Sequence, residues 1–419
     1  MDNNEISQPH KTGPGFFYGY IVVIVAFLIL VVSFSLHSTY GLFFTPMLAE
    51  LGWTRAMTSG AFSLSMIIYG VLGIVTGGLA DKLGPRVVMT LCGVLLGLGC
   101  LLMSQVNTLW QLYLFYGVIV GIGLSGVWVP QLSCVARWFV KRRSLMTGIV
   151  IAGAGISQLV APPVISRLIA NYDWRLSYVI LGVVVLLSTV LAAQFLRRDP
   201  SQMGQRPYGE DEGQQQELKS ETKDFSFKES VYTAQFWIAS IIFLCYGFGF
   251  SAVLVHIVPY AIDLEISAVT AANILAVMGG ISILGSYVLG GVADRIGNRH
   301  VYIIGSALTA AALFWLVPAR EEWALYLFAV AFGFAFGGMG AAESPLIARL
   351  FGVNSHGLIY GVIHIGFTVG SALGPYLTGY IFDITGTYQV AFLLCAALAI
   401  TSLIIAAVLR PTRRLGGRI

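Results

Sequence analysis

The chain has 419 residues, of which 57% are hydrophobic and 11% charged, with a formal net charge of +4. A soluble domain carries about 25% charged residues, so a soluble globular fold is excluded and a chain that lives in lipid is expected. The positive balance sits in short loops between apolar runs, which excludes a nucleic-acid-binding patch.

A helix that crosses a hydrocarbon core of roughly 30 Å needs about 20 mainly apolar residues. Stretches of that kind predict helices over 17–44, 57–80, 87–105, 110–136, 145–170, 176–196, 236–260, 269–291, 301–318, 324–348, 358–382 and 388–409. The period-two alternation of a membrane β-barrel is absent. The fold class expected is therefore an all-α membrane protein with twelve transmembrane helices. Lys82, Arg86, Arg137, Lys141, Arg142, Arg143, Arg295, Arg299 and Arg349 fall on one side of this topology, whereas Arg55, Arg167, Arg175 and Arg320 fall on the other. The basic side faces the cytoplasm, so both termini are expected there, in the plasma (inner) membrane. The first span is too long for a signal peptide and lacks a small-residue cleavage site. The five cysteines lie within spans without metal-ligand spacing, and no cofactor or metal is expected.

Polar groups inside the spans are the candidates for chemistry, because ionisable groups in lipid are costly and tend to be functional. In chain order they are His37 and Tyr40 on span 1, Gln131 on span 4, Gln158 on span 5, Ser282 and Ser286 on span 8, Glu343 on span 10, and Tyr360, His364 and Thr368 on span 11. The span 11 residues share one helical face at intervals of four. All but Glu343 are expected to meet substrate or to serve interhelical hydrogen bonds. His256 on span 7 falls near an outer rim, where it could simply face water. Glu343 lies six positions before Arg349, about 9 Å into the bilayer at ~1.5 Å per residue. His364 lies at a similar depth on the next helix. Glu343 then pairs with Arg299 or Arg349, shares a proton with His364, or snorkels without a task; His37 is a further proton candidate.

Residues 197–235 read as a charged, Gln-rich linker, with a short amphipathic helix around Phe225 and Phe227 that rests on the membrane surface. The linker separates a six-helix bundle at 1–196 from another at 236–419. The bundles are related in sequence. "GGLADKLGPR" (77–86) matches "GGVADRIGNR" (290–299), and Asp81/Asp294, Pro46/Pro259, Gly148/Gly361 and Pro162/Pro375 are each 213 positions apart. Two parallel six-helix repeats with a site between them form a transporter architecture.

These two loops resemble the signature loop of the major facilitator superfamily. "YGLFFTPMLAELGWTR", "ARWFVKRRSLMTGIVIAGAGISQLVAPP" and "GLIYGVIHIGFTVGSALGPYLTGYIFDITGTY" resemble its monocarboxylate transporter-like branch. The resemblance implies two pseudo-symmetric bundles, alternating access, and a cytoplasmic gate formed by Asp81, Arg86, Asp294 and Arg299. It also implies a small-molecule substrate moved with a proton by a monomer. One part of the pattern is missing: the family's Arg on span 8, eight residues before the loop acid, is Ser286 here, and the span 1 Lys is absent. The expectation is a proton-coupled carrier of a small organic acid. The alternatives are a carrier of a larger compound, such as a siderophore or aromatic metabolite, and a membrane sensor. "GIVIAGAGIS" is not preceded by a strand, so it is no phosphate-binding loop, and no catalytic constellation points to an enzyme.

Overall fold

The computed structural model describes residues 17–139, 143–209, 225–352 and 356–409. Among them, twelve helices are long and apolar enough to cross a membrane. They are span 1 (Gly19–Leu51), span 2 (Arg55–Gly73), span 3 (Pro85–Met103), span 4 (Leu109–Leu132), span 5 (Met146–Asn171), span 6 (Trp174–Ala193), span 7 (Ala234–Asp263), span 8 (Ala268–Ala293), span 9 (Asn298–Leu316), span 10 (Glu322–Phe351), span 11 (Leu358–Thr385) and span 12 (Gln389–Val408). An even number of crossings leaves residues 17 and 409 on one side, the terminal face. The opposite side is the distal face.

The duplication is visible in the backbone. The helix of span 2 runs from Arg55 to Leu83 and that of span 8 from Ala268 to Ile296, both 29 residues. Each ends at a glycine, Gly84 at φ 88° and Gly297 at φ 92°, where L side chains are strained. The next helix then starts at Pro85 or Asn298 and runs 19 residues. The two signature loops are thus superimposable turns.

Glycine sets how closely the spans approach. In lipid, helices associate by packing and not by burial from water, so small residues mark the tightest seams. A Cβ at Gly366, Gly370 or Gly374 of span 11 would lie 2.3, 2.0 or 2.4 Å from a span 7 carbonyl oxygen. On span 10, a Cβ at Gly333 or Gly337 would come within 2.3 or 1.8 Å of the Met278 or Ser282 oxygen of span 8. Span 7 is thereby clamped to span 11, and span 8 to span 10.

Span 4 departs from the single helix expected over 110–136. It contains a π-helical stretch (Tyr113–Val120) and breaks between Ser125 and Val129. Pro130 is the cause: it has no N–H for the carbonyl four residues back and its ring crowds that carbonyl. Just ahead of the break, Thr76 Oγ1 of the span 2 helix donates to the Ser125 oxygen at 2.8 Å, which gives a backbone group a partner that lipid cannot supply. Span 1 is also longer than expected and reaches Leu51, with Pro46 inside its final segment. The linker helix is Phe227–Val231, with a capping box between Ser226 and Glu229. Phe225 is buried against Phe351, so this segment docks on the end of the second bundle.

The seam between spans 8 and 10 can be tested directly. Gly337→Ala is expected to destabilise the protein by about 1–3 kcal/mol through overpacking, read as a lower melting temperature in detergent. Gly361→Ala, where a Cβ meets nothing within 4 Å, is expected to be neutral. Equal melting temperatures for the two variants would contradict the seam.

Candidate functional site

The glycine clamps bring Glu343 and His364 together. Span 10 is locked to span 8 six residues before Glu343, and span 11 to span 7 two residues after His364. Glu343 is 8% exposed. Tyr360 Oη donates to its Oε2 at 2.8 Å, and His364 Nδ1 lies 3.5 Å from the same oxygen. Nδ1 is buried and has no hydrogen-bond partner. The imidazole stacks on Phe367 with ring centroids 5.0 Å apart. Tyr69 of span 2, Tyr246 and Tyr302 lie within electrostatic range of the carboxylate. Tyr69 comes from the first bundle, so the site lies where the bundles meet.

Of the pairings open to Glu343, the structure forms the one with His364, joined by Tyr360. The arginine pairing is not formed: among the described residues no Lys or Arg comes within 4 Å of this carboxylate. Arg299 donates to the carbonyls of Ala406 and Ala407, and Arg349 lies beside Gly297.

The other candidates are dispersed. Tyr40 donates to the Thr58 carbonyl at 2.6 Å, and Ser282 to that of Gly279 at 2.7 Å. Ser286 bonds the carbonyls of Ser282 and Gly337, while Thr368 bonds that of His364 at 3.4 Å. These hydroxyls are committed to backbone in this state. His37 is buried between the rings of Phe34 and Phe62. Gln131 is buried with neither amide atom paired, and the Gln158 amide nitrogen also lacks a partner. Gln158 packs against Gly279 across the bundle interface.

The two faces of the interface differ. On the distal half, span 2 touches span 11 at Ser59–Gly379, Gly60–Tyr376 and Gly70–Thr368. Span 5 touches span 8 at Gly155–Ile283 and Gln158–Gly279. Toward the terminal face, a Cβ at Gly78, Gly148, Gly291 or Gly361 would meet nothing within 4 Å. Arg86 of the expected gate bonds Gln194 of its own bundle, and Arg299 also stays within its own. The Asp81 and Asp294 side chains lie outside the described residues. The bundles are closed on the distal face and parted on the terminal face.

A clasp that sequence reading missed closes the distal side. Arg55, at the start of span 2, reaches into the second bundle. One guanidinium nitrogen is 2.8 Å from Asp263 Oδ1, another donates to Tyr388 Oη, and the group lies 3.9 Å from the Phe382 ring centroid. The backbone N–H groups of Arg55 and Ala56 donate to the two oxygens of Asp383 at 3.0 and 2.8 Å. Behind the clasp, His256 is completely buried and not water-facing, with Nδ1 at 3.1 Å from Tyr388 Oη and Nε2 at 2.9 Å from the Pro375 oxygen. The partners of Arg55 are more than 200 residues away in sequence, so only its charge was legible, as one of the four basic residues off the main basic side.

An exposed ion pair alone contributes under about 1 kcal/mol, so the closure rests on the ensemble. Asp263→Asn is expected to raise labelling of a cysteine at Ser59 by an impermeant thiol reagent on the distal face, and Asp263→Asn with Asp383→Asn to raise it further. The native cysteines are buried and form no disulfide, which keeps the background low. Unchanged labelling in the double variant would exclude the clasp as the closing element.

The family profile described as Major Facilitator Superfamily matches residues 25–291 and 260–417. Monocarboxylate transporter 13 of Rattus norvegicus is 28% identical over 398 residues, covering 91% of this chain and 86% of that protein. An uncharacterized MFS-type transporter, YhjX, of Escherichia coli K12 is 28% identical over 350 residues, covering 82% and 84%. Among solved structures, a bacterial homolog to the human lysosomal transporter Spinster, inward-facing and unoccupied, superposes with a TM-score of 0.75 at 17% identity, covering 94% of this chain and 96% of that one. At that identity the superposition speaks for the fold alone. The chain belongs to the major facilitator superfamily, as a multi-pass membrane transporter of the monocarboxylate transporter-like kind.

Proposed function

We propose that this protein is a proton-coupled secondary transporter of a small organic acid. Residues 1–196 would rock against residues 236–419 about the 197–235 linker, in a monomer in the plasma membrane with its terminal face toward the cytoplasm. The observation that carries this reading is the Glu343–Tyr360–His364 cluster: a buried carboxylate 3.5 Å from an imidazole nitrogen that makes no hydrogen bond, where the bundles meet.

The chemistry follows from charge. A lone carboxylate in a low-dielectric interior is expensive, and a second one, on the substrate, would add to that cost. No Lys or Arg lies deep in any span. A carboxylate substrate would therefore travel with a proton, as a net-neutral cargo. Glu343 and His364 can hold that proton between them, with Tyr360 orienting the acceptor oxygen. The distal-closed arrangement is the state that would release cargo to the cytoplasm, and the Asp81/Arg86 and Asp294/Arg299 loops would close that side in the opposite state.

A second reading is favoured by Ser286. It stands where relatives of this branch are expected to hold a substrate carboxylate with Arg, and its hydroxyl is already committed to Gly337. A larger cargo recognised by shape fits that observation.

Glu343→Gln keeps the volume and removes the proton site. With L-lactate as probe in proteoliposomes, the variant is expected to retain lactate exchange yet lose accumulation driven by a proton gradient. The pH dependence of exchange is expected to flatten between about pH 5 and 8, the range in which histidine side chains commonly change charge. Retained accumulation with an unchanged pH profile would overturn the proton-carrier reading. Absence of lactate transport in the wild type would favour the larger cargo.

A further inference from the structure

We propose that Arg55 is an entry site for carboxylates on the distal face, and that the clasp works by exchanging substrate carboxylate for the protein's own. The proposal rests on the organic-acid reading above.

Arg55 lies at the junction of the bundles on the distal side and is paired across it. Arg175, another distal cation, is held by Glu50 at 2.8 Å within the first bundle. In the closed arrangement Arg55 already shows what it binds. Its guanidinium takes the Asp263 carboxylate at 2.8 Å and leans on the Phe382 and Tyr388 rings. Every one of these partners belongs to the second bundle. Parting of the bundles on the distal face removes them together, leaving a guanidinium at the mouth of the opening cleft with its carboxylate partner gone.

An arginine fork bonds carboxylates in a charge-assisted, directional way. A substrate carboxylate entering the distal cleft passes this cation before an interior in which no Lys or Arg lies deep in any span. Closure then brings Asp263 back to the same guanidinium. The two carboxylates compete for one partner, so closing expels the substrate from Arg55 toward the interior, where the proton at Glu343 and His364 neutralises it. The ligand class is a small carboxylate. A neutral amide of the same shape lacks the charge that Arg55 selects. His256 serves here as support, since it holds Tyr388 and the Pro375 carbonyl in place behind the clasp.

The test uses wild-type protein in proteoliposomes, with phenylglyoxal added on the distal face and adduct formation at Arg55 read by peptide mass spectrometry. L-lactate is expected to slow modification of Arg55 by roughly threefold or more through direct contact, and lactamide to leave it unchanged. Protection could also come from closure alone, so the experiment is repeated in Asp263→Asn, whose clasp is weakened. There, modification without ligand is expected to be faster and lactate protection to persist. Loss of lactate protection in Asp263→Asn, equal protection by lactamide, or no protection in either protein would each overturn the entry site. Labelled lactate uptake in the same vesicles separates the two claims. Uptake without protection defeats the Arg55 site and leaves the transport reading standing. Protection without uptake leaves Arg55 a carboxylate-binding residue but overturns both its role in entry and the organic-acid reading.

Discussion

Backbone contact through glycine is the constraint on which the rest of this structure depends. Between spans 7 and 11, and between spans 8 and 10, the carbonyls of one helix lie where the Cβ atoms of the other would be. Side chains cannot intervene, so each pair has little freedom to slide. Polar groups on these helices are therefore held at fixed depth. Glu343 and His364 meet because the residues around them on both helices are clamped, not because either finds the other by flexibility. The cost of a carboxylate in lipid is offset by neighbours that the clamps hold in place.

The clamps also divide the labour between faces. Rigid pairs 7/11 and 8/10 carry the surfaces that touch span 2 and span 5 of the first bundle. Those cross-bundle contacts run from the distal face to about mid-depth and then stop. Where they stop, Tyr69 of the first bundle stands in range of Glu343. The partners of the Arg55 clasp lie at the far, distal ends of spans 7 and 11. The proposed proton site and the partners of Arg55 both belong to the second bundle.

Much of this was legible in the sequence, for identifiable reasons. Lipid demands long apolar helices, so the twelve spans follow from hydropathy. The 213-residue offset of the signature loops is matched in the backbone by paired turns at Gly84 and Gly297, both at positive φ. Equal depth on sequence-adjacent helices put Glu343 near His364. Tyr360 was singled out as a lining residue, but its bond to Glu343 depends on side-chain direction. Hydroxyls such as Ser286 and Tyr40 read as substrate ligands because sequence does not show which carbonyl a neighbouring helix presents. The break in span 4 had a signal in Pro130 that the apolar run masked. The clasp left almost none: Asp263 ends span 7, Asp383 lies near the end of span 11 and Tyr388 just precedes span 12, and only folding brings them to Arg55.

The central claim is that the two bundles rock as units about a protonatable centre. It is tested most directly by paired spin-label distances in nanodiscs. One pair is at Leu83 and Ile296, the exposed ends of spans 2 and 8 on the terminal face, and the other at Tyr172 and Trp323 on the distal face. The account predicts two populations in which a long terminal distance goes with a short distal one and the reverse. Their ratio should shift between pH 5.5 and 7.5 in the wild type and stay fixed in Glu343→Gln. A single distance distribution on each face, or a pH shift that survives in Glu343→Gln, would contradict it.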